Sequence, residues 1–190
     1  MEDIEIEVVE EVKLLGVLVR SDLRWTSNSE AICRKGYTRL WMLRRLKELG
    51  AETAELIDVY KQQVLSVLEF AVPVWASSIT KHEASTIERV QKTALHIILG
   101  IDYTNYQLAL KTLNMKSLSE RRLELCSKFA VKSLRSQKYN TWFKKSEAKS
   151  YNTRCEKPIF KEVVTRTKRF YNSPIPYLTR LLNLHKWTTD

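Results

Sequence analysis

Glycine and proline are scarce in this sequence, with four of each among 190 residues, and no internal repeat or low-complexity tract is present. Both residue types are unfavourable inside helices. Their scarcity, together with 44% hydrophobic residues, therefore predicts an ordered and mainly helical chain. The length suits one domain with a smaller appendage.

Long apolar runs are also missing. The longest apolar stretch, Val64–Ile79, contains Glu69 and Pro73, which favours a buried helix over a membrane span. The three cysteines are far apart and odd in number, as expected of free thiols in a reducing compartment. Since the acidic N-terminus does not resemble a signal or transit peptide, we expect an intracellular location, cytoplasmic or nuclear.

Patterns of catalytic or metal-binding residues are absent from the sequence as well. The five aspartates are isolated, so no aspartate pair of the kind that holds two Mg²⁺ ions is present. The histidines and cysteines lack zinc-ligand spacing, and there is neither a glycine-rich phosphate loop nor a nucleophile elbow. We expect no catalytic residue, metal or cofactor in this chain. Cys126 is predicted to be a core residue, and His96 to lie on or near a packed helix.

Positive charge, in contrast, is abundant. The chain holds 32 basic and 22 acidic residues, a net charge of +10, and six of the acids lie in the first eleven residues. Residues 120–170 alone hold fifteen basic residues against five glutamates. An excess of this size favours a polyanionic partner such as nucleic acid or an anionic membrane surface, and the alternative is a merely solvated basic face.

The order of predicted elements begins with two strands. Ile4, Ile6 and Val8 alternate with glutamates, which predicts a strand that turns at Glu10–Glu11 into a second strand, Val12–Arg20. Helices follow. Three serine or threonine residues have the spacing of a capping box, which marks a helix start, and two glycines lie where helix ends are expected. These signals are Ser27…Glu30, Thr80…Glu83, Ser117…Glu120, Gly50 and Gly100.

Five helices are predicted from these signals and from the apolar spacing, over residues 28–49, 53–78 with a kink or interruption at Pro73, 81–99, 104–113 and 118–137. Beyond them we expect a loop over 144–157, a basic helix over 160–170, an extended break at 173–176 and a terminal helix or strap over 177–184. The predicted fold class is mainly α, a helical bundle with a short N-terminal β-hairpin.

The first predicted helix carries the most promising surface. At 100° per residue, Arg34, Tyr37, Trp41 and Arg45 share one side with Arg44 at its edge, and Ile32, Leu40, Leu43 and Leu46 share the other. Together with Lys35, this basic and aromatic side can pair with phosphates and stack on bases. The alternative is that Tyr37 and Trp41 pack on the hairpin or on a missing domain. A second basic ridge, Lys128, Lys132 and Arg135, is either a further nucleic-acid contact or a solvated face.

Several segments resemble, in order, the region that follows the palm in non-LTR (LINE-type, jockey-like) retrotransposon reverse transcriptases. They are LLGVLVRSDLRWTSNSEAIC from Leu14, VYKQQVLSVLEFAVPVW from Val59, ERVQKTALHIILG from Glu88, LNMKSLSERRLELCSKFA, and the ending SPIPYLTRLLN. Together they span nearly the whole chain. The family usually has an aromatic residue at the position of Leu14 and a histidine at that of Asn28, where asparagine can cap the helix.

The resemblance implies three regions: residues 1–25 as the last palm hairpin, 26–137 as a helical thumb-like domain, and 138–190 as a basic, partly helical C-terminal extension. In the family, the hairpin that Leu14, Leu15 and Gly16 match helps to hold the primer end, the thumb grips template–primer, and the extension binds element RNA or target DNA. The family's Tyr-Ala-Asp-Asp box would precede Met1, so Mg²⁺ would belong to the intact polymerase only. A truncated copy or partial gene model is therefore expected.

The first hypothesis is thus a non-catalytic piece of an RNA-directed DNA polymerase. It would bind RNA or DNA weakly and without sequence preference, associate with the missing palm domain, and have no membrane partner. The alternatives are a helical module that docks an acidic protein partner, or a relic with no selected function.

Overall fold

The computed structural model describes residues 8–146 and 159–184. This part is mainly helical with a two-stranded antiparallel hairpin near its N-terminal end, as predicted. It forms two compact units, one comprising the residues up to Ala71 together with Ile79–Leu118, and the other Val72–Ser78 together with the residues from Ser119 onward. The predicted domain boundaries at residues 25 and 137 stay a prediction. The hairpin belongs to the unit of the first helices, and most of the helix predicted for 118–137 belongs to the second unit.

The hairpin pairs β1 (Glu11–Leu14) with β2 (Val17–Arg20), with Glu11 opposite Arg20 and Leu14 opposite Val17. Its turn lies at Leu15 and Gly16, whose φ angles of 47° and 91° are those of a two-residue type I′ loop. The predicted turn at Glu10–Glu11 and the unbroken strand over 12–20 are therefore wrong. Leucine seldom adopts positive φ, so Leu15 gave no turn signal. The predicted strand positions Ile4 and Ile6 lie outside the described residues.

Helix α1 (Thr26–Glu48) starts without the predicted Ser27–Glu30 capping box. Its N-cap residue is Trp25, which makes no side-chain cap hydrogen bond. Nor does Asn28 cap the helix: it lies inside the first turn, and its Oδ1 accepts a hydrogen bond of 3.2 Å from the backbone N–H of Leu18 in β2. Asn28 therefore fixes the hairpin to the beginning of α1.

The end of α1 is closed by the predicted glycine. Gly50 has a φ of 85°. The N–H groups of Gly50 and Ala51 donate to the carbonyls of Lys47 and Leu46, each at 3.0 Å. This is the Schellman pattern, in which a left-handed residue lets the chain reverse over the last helical carbonyls.

The predicted helix over 53–78 is divided. It comprises α2 (Thr53–Val59), a π-helical segment (Tyr60–Leu65), α3 (Ser66–Leu68) and α4 (Val72–Trp75). The interruption precedes Pro73, at Ala71, whose φ is 52°. Pro73 itself fits the first turn of α4, where its missing N–H is not needed.

Helix α5 (Lys81–Leu99) has the capping box that the sequence predicted. The N–H of Glu83 donates to Thr80 Oγ1 at 3.2 Å, and the N–H of Thr80 donates to Glu83 Oε2 at 2.6 Å. The other oxygen of Glu83 accepts a hydrogen bond of 2.8 Å from Thr26 Oγ1. The largely buried Glu83 therefore joins the beginnings of α1 and α5.

The end of α5 differs from the expected left-handed cap. Gly100 has a φ of 62° but a ψ of −120°, and a 3₁₀ turn, Gly100–Asp102, follows. The last carbonyls, those of Ile97 and Ile98, instead accept hydrogen bonds from Lys47 Nζ at 2.6 and 2.7 Å. A cation at this end also opposes the negative pole of the helix dipole.

The core of the first unit lies where α1 packs on α5 and on the π-helical segment. Gly36 permits the close approach, because a Cβ at that position would lie only 2.9 Å from Val90 Cγ1. The fully buried residues at this core include Leu40, Leu43, Tyr60, Val64, Ile87, Val90 and Leu95.

A buried glutamine organises the segment after α5, which includes α6 (Tyr106–Thr112). Gln91 Nε2 donates to the Lys116 carbonyl at 3.0 Å. Its Oε1 accepts from the Tyr106 hydroxyl at 2.7 Å and from the Leu118 N–H at 3.1 Å. The fully buried side-chain amide of Gln91 thus forms hydrogen bonds to three residues that follow α5 in the chain.

The second unit includes α7 (Leu118–Arg135) from its second residue onward, a 3₁₀ turn (Asn140–Trp142), α8 (Lys168–Tyr171) and α9 (Pro174–Leu184). The predicted extended break at 173–176 is wrong, because α9 begins at Pro174, a residue suited to the first helical position. The predicted helix over 160–170 is also wrong. Phe160 instead forms a β-bridge with Lys145, and only the last residues of that range enter α8. Most of the predicted loop over 144–157 lies outside the described residues.

On α7, Cys126 is buried as predicted. Leu118 is buried as well, whereas Phe129 is exposed. Other buried apolar residues of this unit are Val72, Trp75, Ala130, Phe143, Phe160, Leu178, Leu181 and Leu182.

Candidate nucleic-acid interface

The residues predicted to form a nucleic-acid surface on α1 are exposed in the structure. The outer face, defined here as Arg34, Tyr37, Trp41, Arg44 and Arg45, lies opposite a side on which Ile32, Leu40 and Leu43 are buried. The side of α1 that the apolar spacing predicted to be buried is therefore the side that faces the core, since buried and exposed positions recur with the helical period.

The two aromatic rings of the outer face are not part of the core. Tyr37 is 41% exposed and Trp41 is 65% exposed. Among the described residues, neither ring has an aromatic or cation–π partner. The alternative, that they pack on the hairpin or on a missing domain, stays a prediction. Both rings are open to a partner.

The arginines of the outer face are largely free to contact anions. Arg45 Nη1 lies 3.0 Å from Glu48 Oε2, in an exposed ion pair that stabilises little. Within the described ranges, the side chains of Arg34, Lys35 and Arg44 make no ion pair or hydrogen bond. Cations without an internal partner favour an external anion.

Lys35 is placed differently from the outer face. It lies 100° around the helix from Arg34 and lines a groove of about 580 Å³ between the hairpin, α1 and α3. Lys13 and Arg39 line the same groove, which therefore carries three basic side chains. Sequence analysis did not identify this groove, because it depends on how the hairpin is fixed to α1.

The hairpin residues Leu14, Leu15 and Gly16 lie at the tip of the β-turn. Leu14 is 61% exposed and Leu15 is 90% exposed. Gly16 lines the groove next to Phe70, whose ring would lie 3.2 Å from a Cβ at that position. The structure thus brings Gly16 and Lys35 to one groove, while the two leucines point outward.

Arg39 links the groove to the π-helical segment. Its guanidinium donates to the carbonyl of Gln63 in the π-helical segment. A π-helical turn shifts hydrogen bonds from i+4 to i+5 and leaves carbonyls available to other donors. The sequence did not predict this hydrogen bond, because the residues of the π-helical segment do not differ from those of an ordinary α-helix.

The ridge predicted on α7 is also exposed, at Lys128, Lys132 and Arg135. It belongs to the second unit and not to the unit that carries α1. A further aromatic and cationic cluster of this second unit escaped sequence analysis. The Arg180 guanidinium carbon lies 3.5 Å from the ring centre of Tyr171 and 5.9 Å from that of Tyr177.

The two cysteines that the structure describes are buried free thiols, in agreement with the prediction for Cys126. Burial raises the pKa of the Cys33 thiol to about 11, and nearby Glu30 adds to that shift. Burial likewise raises the pKa of Cys126 to about 11, against a smaller opposing effect of Arg122. Neither thiol is a ready nucleophile at neutral pH. Cys155 and His185 lie outside the described residues.

No group of three or more histidine, cysteine, aspartate or glutamate residues suited to a metal ion occurs in the described ranges. His96 is exposed and packs edge-on against Tyr103, with ring centres 5.0 Å apart. None of the described helices combines the length and apolarity needed to cross a bilayer. Comparison with family models, curated proteins and solved structures finds no match for the chain.

Proposed function

We propose that this chain is the non-catalytic C-terminal part of a LINE-type retrotransposon reverse transcriptase, and that it binds template–primer or element RNA through the outer face of α1. In this proposal the metal-binding aspartates and Mg²⁺ belong to a palm domain of the parent polymerase. This chain contributes affinity and position to the complex and no chemistry.

The observation that carries the proposal is the exposure of Tyr37 and Trp41 between arginines on one side of α1. Arginines contact phosphates and aromatic rings stack on bases, so the combination suits binding without sequence preference. The net charge of +10 favours the same class of partner through long-range attraction. The basic ridge of α7 (Lys128, Lys132 and Arg135) provides further exposed cations in the second unit.

The direct test measures the affinity of the chain for a labelled oligonucleotide of mixed sequence. Arg34→Gln with Arg45→Gln should lower that affinity by about tenfold at low salt, because two exposed charge contacts contribute about 1–2 kcal/mol together. Lys61→Gln with Lys111→Gln is the matched control. It removes the same charge from exposed positions on other helices. Equal effects of the two double variants would refute a specific role of α1.

The second candidate is a module that docks an acidic protein, which the same arginines would also support. Trp41→Leu separates the two functions. Leucine retains an apolar side chain for protein docking but removes the ring that stacks on a base. A loss of oligonucleotide affinity with this change supports the polymerase-derived function, whereas a wild-type chain that binds polyglutamate but no oligonucleotide favours the protein-docking module.

A further inference from the structure

The outer face of α1 carries two neighbouring aromatic rings with an arginine at each end. Tyr37 and Trp41 are four residues apart, so they lie about 6 Å apart along the axis on the same side. Arg34 precedes the pair by one turn and Arg45 follows it by one turn. The face thus presents two adjacent rings with a cation at each end, over about 16 Å.

Exposed rings of this kind match unpaired bases better than a duplex. In a duplex the faces of the bases are covered by their neighbours, and proteins reach only phosphates, sugars and base edges. In a single strand the bases can separate and stack on aromatic side chains, while arginines follow the backbone. Tyr37 and Trp41 expose 41% and 65% of their surface and have no ring partner in the described part of the chain.

We infer that the outer face of α1 binds unpaired nucleotides, with one base against Tyr37 and the next against Trp41, and that it does not grip the outside of a duplex. The inference rests on the proposed function and narrows its substrate to single-stranded nucleic acid or an unpaired overhang. Both RNA and DNA supply the same chemistry, which is a phosphodiester chain with accessible base faces.

The experiment compares three labelled ligands of one sequence at the same salt concentration, namely single-stranded RNA, single-stranded DNA and a blunt DNA duplex. The wild-type chain should bind at least one single strand more tightly than the duplex. Tyr37→Leu with Trp41→Leu should weaken single-strand binding by tenfold or more, as expected for the loss of one or two stacked bases, and leave duplex binding within twofold. The strand whose affinity falls identifies RNA, DNA or both as the ligand.

Two controls separate stacking from folding and from general aromatic contact. Trp41→Phe keeps a ring and should retain most of the single-strand affinity. Trp142→Leu removes a half-exposed tryptophan from the second unit and should leave all three affinities unchanged. Because Tyr37 and Trp41 are exposed, their replacement should preserve the helical circular-dichroism spectrum.

Equal losses on single strand and duplex, or no loss on either, would overturn the inference while the proposed nucleic-acid binding stands. A wild-type chain that binds none of the three ligands would instead refute the proposed function itself. The two failures are therefore distinguishable in one titration series.

Discussion

Replacement of Gly36 by alanine tests the packing that orients the outer face. Gly36 lies where α1 crosses α5, and an added Cβ would meet Val90 Cγ1 at 2.9 Å and Leu68 Cδ2 at 3.0 Å. The leucine methyl is the end of a flexible side chain and can move. Val90 is fully buried and β-branched, so its rotamer is fixed in the helix and the backbones must separate.

The expected magnitude is the difference of two effects. Overpacking of a core by one methyl group destabilises by about 1–3 kcal/mol, whereas replacing glycine with alanine in a helix interior stabilises by about 1 kcal/mol. We therefore expect Gly36→Ala to lower the free energy of unfolding by up to about 2 kcal/mol. Thr38→Ala, at an exposed position two residues along α1, should be neutral or slightly stabilising.

Urea denaturation monitored by circular dichroism measures both variants. Val90→Ala should destabilise the Gly36→Ala protein by about 1 kcal/mol less than it destabilises the wild type, because the smaller side chain relieves the contact with the added Cβ. A Gly36→Ala protein that is stabilised as much as helix propensity alone predicts would refute the reasoning, because it would mean that α1 and α5 are not in close contact at this residue.

Two further predictions concern buried polar groups. Gln91→Leu should lower the free energy of unfolding by about 1 kcal/mol, because the Lys116 carbonyl loses this donor, while the Tyr106 hydroxyl and the Leu118 N–H keep Glu88 Oε1 as an acceptor. A variant with the stability of the wild type in urea denaturation would contradict this network. The raised pKa of Cys33 and Cys126 means that the folded state holds these protons more tightly than the unfolded state. Stability from this source is fully present below pH 9 and is lost as the pH rises towards about 11. Chemical denaturation at pH 8 and at pH 10.5 measures this loss in the wild type and in a Cys33→Ala, Cys126→Ala double variant. If the free energy of unfolding falls equally in both proteins between these pH values, the thiols are not its source.

The regular helices were predictable because their signals are local. The Thr80–Glu83 capping box, the glycine cap at Gly50 and the apolar spacing of α5 each depend on a few neighbouring residues. The outer face of α1 was predictable for the same reason, since residues three or four apart share a side.

The elements that sequence analysis missed depend on contacts between distant residues or on unusual backbone angles. The hairpin turn at Leu15 and the break at Ala71 both need positive φ in a residue other than glycine. Asparagine is a good cap residue, but Asn28 lies inside the first turn of α1 and its oxygen accepts from the N–H of Leu18. The groove and the Arg39–Gln63 link require the tertiary fold, which no local pattern specifies.

The salt dependence of binding tests the central claim most directly. If Arg34, Arg44 and Arg45 contact about three phosphates of a single strand, the logarithm of the association constant should fall by about 2 for each tenfold rise in salt. Arg34→Gln with Arg45→Gln should reduce that slope by about 1.4, since two contacts are removed. A wild-type slope near zero, or a slope that the double variant leaves unchanged, would contradict electrostatic binding of nucleic acid by α1.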